Sequence, residues 1–149
     1  MLEKAWAKVK GNYVIAEGGY LVEGMKALAG VPGYSYKTEY IGTDSEDDMT
    51  EAECFDMLKE ADEANYIMAF GTDENSSNPC GICQLHAYTI ISAFEMTDAS
   101  DVVHQMLTIR NPWGTTDHTG PKWQHDDSAW TDALIAQVPL GINPTTAHE

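Results

Sequence analysis

Residues 86–111 read HAYTIISAFEMTDASDVVHQMLTIRN, two apolar runs separated by a short polar segment. The runs Ala87–Met96 and Val102–Asn111 have the length and β-branched content of strands, and the segment between them has the composition of a turn. Asn111 precedes Pro112, which ends the second run because proline cannot donate a hydrogen bond to a neighbouring strand. The stretch therefore predicts an antiparallel β-hairpin.

The expected register of this hairpin assumes a turn centred on Asp98 and Ala99, and a bulge or a longer loop would shift it. This register predicts three cross-strand pairs: His86 with Asn111, Tyr88 with Ile109, and Ile90 with Leu107. Directly opposed residues have Cβ atoms about 4.5–5.5 Å apart, which is within reach of a side-chain hydrogen bond. The hairpin is thus expected to place an imidazole beside a carboxamide.

A histidine held by an asparagine forms two of the three parts of a thiol-protease site. The thiol of a free cysteine has a pKa of about 8.5 and attacks only as thiolate, which a neighbouring imidazolium stabilises. In this interpretation His86 is the general base, Asn111 orients its ring, and Trp113 shields the pair from water. The structural alternative is that Asn111 opens a turn, His86 ends a strand and Trp113 is ordinary core.

Several further motifs occur in a fixed order around this pair. They are LEKAWAK at residues 2–8 with Gly11 and Tyr13, Gly18-Gly19, His86-Ala87-Tyr88, Arg110-Asn111-Pro112-Trp113-Gly114, Thr119-Gly120, Trp123 and Trp130. Together they resemble the calpain family of cysteine proteases, and more narrowly the second half of the calpain protease core. The resemblance implies the roles of His86, Asn111 and Trp113 given above, and it places the nucleophilic cysteine in a preceding subdomain that this chain lacks. Leu85 departs from the family, which usually has glycine before the histidine.

The expected fold class is α+β, with short N-terminal helices packed on antiparallel strands that form barrel- or sandwich-like sheets. Helical spacing predicts one helix from Leu2 to a stop at Gly11 and a second that ends at Gly30. Further expected elements are a strand over Ser35–Ile41, a helix capped by Thr50 and Glu53, and a buried strand over Tyr66–Phe70. We interpret residues 1–149 as a single domain, the His/Asn subdomain without its upstream partner and without the last strands of the family.

The resemblance also implies calcium, which calpain cores bind through carboxylates and carbonyls. Asp117 and Asp126 are the candidate ligands, the latter beside His125, where the family often has aspartate. Calcium takes six to eight oxygen ligands, and too few can be assigned here, so we expect weak binding at most. The acidic run 44–53 is the other calcium candidate, but it lacks the central glycine of an EF-hand loop, and a solvated loop explains it better.

Composition excludes several classes of protein. A formal charge of −16 leaves no basic surface for nucleic acid, and no apolar run approaches the roughly 20 residues of a membrane span. The cysteines, Cys54, Cys80 and Cys83, are odd in number, which favours reduced thiols in the cytoplasm. Cys80 and Cys83 form a CxxC motif; redox or zinc roles remain alternatives to two ordinary thiols, but the motif does not precede a predicted helix and no fourth ligand is evident.

Two functional hypotheses follow from these observations. The first is a partial catalytic domain of a calcium-dependent cysteine endopeptidase, which acts on protein substrates and needs a cysteine-bearing subdomain as its partner. Alone it is expected to be inactive, because Cys83 is too close in sequence to His86 and Cys54 lies on the core face of a helix. The second is a non-catalytic structural or protein-interaction module that retains the fold without the activity.

Overall fold

The structure, a computed structural model, describes residues 1–37, 49–74, 80–114 and 118–146. Its elements in chain order are α1 (Leu2–Lys10), α2 (Leu21–Ala29), α3 (Glu51–Glu63), β1 (Met68–Gly71), β2 (Ala87–Thr97), β3 (Val103–Arg110), α4 (Asp132–Ile135) and two 3₁₀ turns (Pro139–Gly141 and Pro144–Thr146). This mixture of helices and antiparallel strands agrees with the expected α+β class. None of the helices within these ranges has both the length and the apolar character needed to cross a membrane.

The N-terminal compact unit, Met1–Lys37, contains α1 and α2. Both helices end at a glycine with positive φ, Gly11 at 108° and Gly30 at 69°. Glycine adopts such angles without the steric cost that a Cβ would add, so it is suited to ending a helix. The predicted ends of these two helices are confirmed.

The second unit is built around one antiparallel sheet with the strand order β1-β2-β3. Helix α3 begins with the predicted capping box of Thr50 and Glu53 and packs against β1 and β2. Near the end of α3, the Asp62 carboxylate accepts hydrogen bonds from Ser92 Oγ at 2.6 Å and from the Ala93 N–H at 3.0 Å. These bonds satisfy the hydroxyl of Ser92 and the N–H of Ala93, which lie past the part of β2 that pairs with β1.

The described residues do not form the barrel- or sandwich-like sheets that the sequence predicts. They contain one open, three-stranded sheet, because β1 is short and the segment after β3 folds into turns and short helices. The predicted strand Ser35–Ile41 is only partly covered by the structure: residues 35–37 have no regular structure, and the rest lies outside the described ranges.

The turn of the β2–β3 hairpin is larger than the predicted turn. Thr97 pairs with Val103, and the residues between them form the connection. Asp98 Oδ1 accepts hydrogen bonds from the N–H groups of Ser100 at 2.8 Å and Val102 at 3.1 Å. A side chain that binds nearby backbone in this way stabilises a wider turn.

The pairs away from the turn are displaced accordingly. Ile90 pairs with Ile109, so the predicted pairs Ile90–Leu107 and Tyr88–Ile109 are wrong. The displacement results from the larger turn together with a β-bulge between Ile90 and Ser92. A bulge inserts one extra residue into one strand and shifts the register beyond it.

The bulge also decides which face of the sheet carries Asn111. Because side chains alternate along a strand, a register shift of one residue moves them to the opposite face. The register near the turn, continued without a bulge, would place Asn111 opposite Thr89, which faces away from His86. With the bulge, Arg110 pairs with Thr89, and Asn111 lies on the face that carries Tyr88 and His86.

The core of the second unit joins the hairpin to the C-terminal segment. Met96, on β2, has no exposed surface and packs with Leu134 and Val138. Five partly buried side chains complete this cluster: Phe94, Met106, Trp123, Trp130 and Ile142. The segment after residue 118, which the sequence leaves irregular, therefore supplies five of the eight side chains in this cluster.

We predict that Asp98 contributes to stability only while it is ionised. Its pKa lies below the ordinary value, first because of the hydrogen bond with His104 and then because of those from the Val102 and Ser100 N–H groups. A carboxylate with a lowered pKa stabilises the folded state above its unfolded pKa of about 3.9, and this contribution is lost as pH falls through the folded pKa. Thermal unfolding of Asp98→Asn as a function of pH should show a weaker acid dependence than the unmodified chain. Asp56→Asn, an exposed change on α3, is the control; equal acid dependence in all three proteins would contradict the prediction.

Candidate active site

His86 lies directly before β2, and its backbone extends the ladder between β1 and β2. The Thr72 N–H donates to the His86 carbonyl at 2.9 Å, and the His86 N–H donates to Thr72 Oγ1 at 3.0 Å. These bonds continue the pairing beyond Gly71 and Ala87. The position of the histidine is thus set by the sheet and not by a free loop.

The imidazole of His86 is hydrogen-bonded to the carboxamide of Asn111, as the sequence predicts. The distance from His86 Nε2 to Asn111 Oδ1 is 2.7 Å, and the Trp113 N–H also donates to this oxygen, at 3.0 Å. A backbone N–H can only donate, so it identifies the accepting atom as Oδ1, and Nε2 must carry a hydrogen. In the neutral ring Nδ1 is then the atom that accepts a proton, and no group in the described ranges is hydrogen-bonded to it.

Aromatic rings enclose the imidazole. The Trp113 ring lies 4.0 Å from the His86 ring, and the Tyr88 ring makes an edge contact at 4.8 Å. Tyr88 in turn stacks on Phe70 at 4.9 Å. His86 is only 9% exposed while Trp113 is 61% exposed, so the indole lies on the solvent side of the histidine. The shielding role of Trp113 stays a prediction.

Thr72 is the residue of this site that sequence reasoning missed. Besides its bonds to His86, its hydroxyl is 2.6 Å from the carbonyl oxygen of Cys83. The Cys83 N–H donates to the Tyr88 hydroxyl at 2.7 Å, and burial is the main cause that raises the pKa of Tyr88. We call Thr72, Cys83 and His86 the Thr72 clamp. The one signal in the sequence was the position of Thr72 two residues after the predicted strand Tyr66–Phe70.

The three cysteines occupy two different environments. Cys54 lies on α3, and burial raises the pKa of its thiol, which disfavours the reactive thiolate. Cys80 and Cys83 precede β2 and are half-buried, and no disulfide joins cysteines in the described chain. Neither begins a helix, so the helix dipole that activates a thioredoxin-type thiol is absent from this position.

The calcium candidates do not come together as a site in the part of the chain that can be described. Asp117 lies outside the described residues, and Asp126 is exposed. The neighbouring Asp127 accepts hydrogen bonds from the Ala129 and Trp123 N–H groups, which lower its pKa. Over residues 1–37, 49–74, 80–114 and 118–146, no group of three or more His, Cys, Asp or Glu side chains is arranged to hold a metal ion. Calcium takes six to eight oxygens, and the side chains in these ranges bring no such group together.

Leu85, the residue before the histidine, has a backbone conformation that favours glycine. Its φ is 49°, in the left-handed region, and its side chain is 74% exposed. A side chain in this region costs about 1–2 kcal/mol, and an exposed leucine recovers little of it through packing.

We therefore predict that Leu85→Gly stabilises the chain. The expected gain is about 0.5–1 kcal/mol, because relief of strain exceeds the larger entropy that glycine has in the unfolded chain. Urea unfolding would measure it, and Leu85→Ala, which keeps the Cβ, is the matched control with little expected gain. Unfolding at lower urea for the glycine variant would contradict the prediction.

Comparisons with known proteins show the family of the chain. Residues 1–137 match the family model described as calpain family cysteine protease. The chain is 26% identical over 137 residues to the calpain-type cysteine protease DEK1 of Arabidopsis thaliana, which covers 90% of the chain and 6% of the relative. It is 24% identical over 148 residues to calpain-9 of Rattus norvegicus, a match that covers 95% of the chain and 20% of the relative. It is 26% identical over 136 residues to the calpain-2 catalytic subunit of Mus musculus, a match that covers 87% of the chain and 18% of the relative.

The match of residues 1–137 to this family model defines the class of the chain, calpain-type cysteine-protease domains. The chain belongs to the calpain family. It spans between 6% and 20% of the length of these three relatives.

Proposed function

We propose that this chain is the histidine- and asparagine-bearing half of a calpain-type protease core. One observation carries the proposal: His86 Nε2 is 2.7 Å from Asn111 Oδ1, beneath the Trp113 ring. This contact leaves Nδ1 as the proton acceptor of the neutral ring. A cysteine from a separate part of the protease would approach that nitrogen.

In this proposal the three residues divide the chemistry of peptide hydrolysis. His86 takes the proton of the thiol at Nδ1, and the resulting imidazolium stabilises the thiolate that attacks the peptide carbonyl. Asn111 fixes the ring orientation without adding a negative charge. Trp113 keeps water from competing for the Nε2–Oδ1 bond. The same imidazolium then returns its proton to the leaving amine.

In this proposal the chain alone does not cleave peptides. Burial raises the pKa of the Cys54 thiol on α3, and the backbone of Cys83, three residues before His86, is held by hydrogen bonds to Thr72 and Tyr88. A nucleophile has to come from a cysteine-bearing half, which is the proposed partner, with proteins as substrates. We place this activity in the cytoplasm, where thiols stay reduced.

The test is assembly of the chain with a cysteine-bearing half of a calpain core. We expect cleavage of a fluorogenic peptide and labelling of the nucleophile by an epoxide inhibitor only in the mixture. The control is the same half with its nucleophilic cysteine changed to alanine. Cleavage by the chain alone would contradict the proposal, and so would an inactive complex whose formation is shown by sedimentation.

For calcium we propose weak binding at most in this chain. The support is the exposure of Asp126 and the engagement of Asp127 by backbone N–H groups. Calorimetric titration with calcium chloride should give no saturable heat at micromolar concentrations. A tight stoichiometric site would overturn this proposal without affecting the roles of His86 and Asn111.

A further inference from the structure

The CxxC motif is connected to the candidate active site by hydrogen bonds. The Cys83 carbonyl accepts from the Thr72 hydroxyl, and the Thr72 hydroxyl and backbone N–H bind the His86 backbone. The Cys83 N–H donates to Tyr88, whose ring contacts the imidazole. The Cys83 carbonyl is thus connected to the histidine through Thr72, and the Cys83 N–H is connected to it through Tyr88.

We propose that Cys80 and Cys83 are an oxidative modification site, which closes to an intramolecular disulfide and thereby changes the setting of His86. Both side chains are half-buried, so a small oxidant in solution has access to them. Gly81, between the two cysteines, has a φ of 83°, a backbone angle that glycine adopts easily.

Oxidised glutathione is a sufficient oxidant for this reaction. One cysteine thiolate attacks the glutathione disulfide, forms a mixed disulfide and releases one glutathione thiolate. The second cysteine thiolate then attacks the protein sulfur of the mixed disulfide and releases the second glutathione. The two cysteines lose two electrons in total, the two glutathiones carry them away, and the two thiol protons pass to the solvent or to the released thiolates.

The closed disulfide alters the clamp because the two cysteines are tethered to different parts of the fold. The Cys80 carbonyl accepts a hydrogen bond from the Thr119 N–H at 3.0 Å, whereas Cys83 is bound to Thr72 and Tyr88. A disulfide requires its sulfurs to come within about 2.05 Å. In the proposed switch, the bond to Cys80 draws Cys83 away from Thr72, and the loss of the Thr72–Cys83 hydrogen bond loosens the backbone of His86.

A regulatory role for this disulfide rests on the proposed function of His86. The experiment measures the NMR signals of the His86 imidazole and needs no peptidase activity. The protein is the full chain with Cys54→Ser, which removes the third thiol. After incubation with oxidised glutathione, peptide mass spectrometry should show a peptide in which Cys80 and Cys83 have lost two hydrogens. The imidazole NMR signals of His86 should shift, and dithiothreitol should reverse the shift, while those of His104 at the far end of the hairpin stay in place.

Variants separate the disulfide from its effect on the histidine. Cys83→Ser should abolish both the mass change and the shift. Thr72→Val should still form the disulfide but lose most of the His86 shift, and Thr72→Ser, which keeps the hydroxyl, should retain it. Mixed glutathione adducts without ring closure would overturn the proposal, as would an unchanged His86 signal or an equal shift in Thr72→Val. Peptide cleavage by the assembled protease could still be observed in that case, so the two proposals can fail separately.

Discussion

His86→Ala should lower kcat/KM for peptide cleavage by about 10³-fold in the protease assembled from this chain and a cysteine-bearing half. The alanine variant lacks the imidazole nitrogen that accepts the thiol proton, and it lacks the imidazolium that stabilises the thiolate. The fold should survive, because the backbone bonds between His86 and Thr72 do not involve the ring. Initial rates with a fluorogenic peptide, with complex formation checked by sedimentation, measure the effect.

Two further variants make this result interpretable. Asn111→Ala should cost less, about 10²-fold, because the ring keeps its proton-accepting nitrogen and loses only its orientation. His125→Ala changes an exposed histidine and should leave the rate unchanged. If His86→Ala and His125→Ala had equal activity, His86 would not be the general base.

The local elements were predictable because each has a strong local signal. Strand Ala87–Thr97 differs from its predicted run by one residue at one end, and Val103–Arg110 by one residue at each end, since long apolar runs bounded by turn residues leave few alternatives. Helices α1 and α2 end at their predicted glycines for the same reason. The His86–Asn111 contact was predicted as well, but through a register that proved wrong.

That register could not be read from the sequence because two separate features set it. The Asp98 carboxylate binds two backbone N–H groups and widens the turn, and the bulge next to Ile90 adds a further shift. Neither glycine nor proline marks the bulge, so the apolar run gives no local sign of it. The wider turn alone would have moved Asn111 to the face opposite His86, and the bulge restores the common face.

The remaining differences concern contacts between residues distant in the sequence. Thr72 lies in a polar segment after β1 and becomes part of the site only because β1 pairs with β2. The open sheet, in place of the expected barrel or sandwich, has the same kind of cause. Leu134 and Val138 lie in a region without strand or helix periodicity, yet they cover the hairpin.

Met96→Ala is expected to have the largest effect on stability, about 2–5 kcal/mol, because the substitution leaves a cavity in the core. Met96 has no exposed surface, and its partners Leu134 and Val138 come from the C-terminal segment, so the cavity opens between the hairpin and that segment.

Urea unfolding followed by tryptophan fluorescence is a suitable measurement for this variant, since Trp123 and Trp130 pack against the same cluster. Met96→Leu conserves volume and should cost less than about 1.5 kcal/mol, while Val103→Thr changes a half-exposed side chain on the neighbouring strand and should cost less still.

Domains of this size have about 5–15 kcal/mol of stability, so the alanine variant should lose a large part of it and bind a cysteine-bearing half poorly at physiological temperature. A midpoint equal to that of Met96→Leu would show that the C-terminal segment does not close over β2, and the hairpin that carries His86 and Asn111 would then need another source of support.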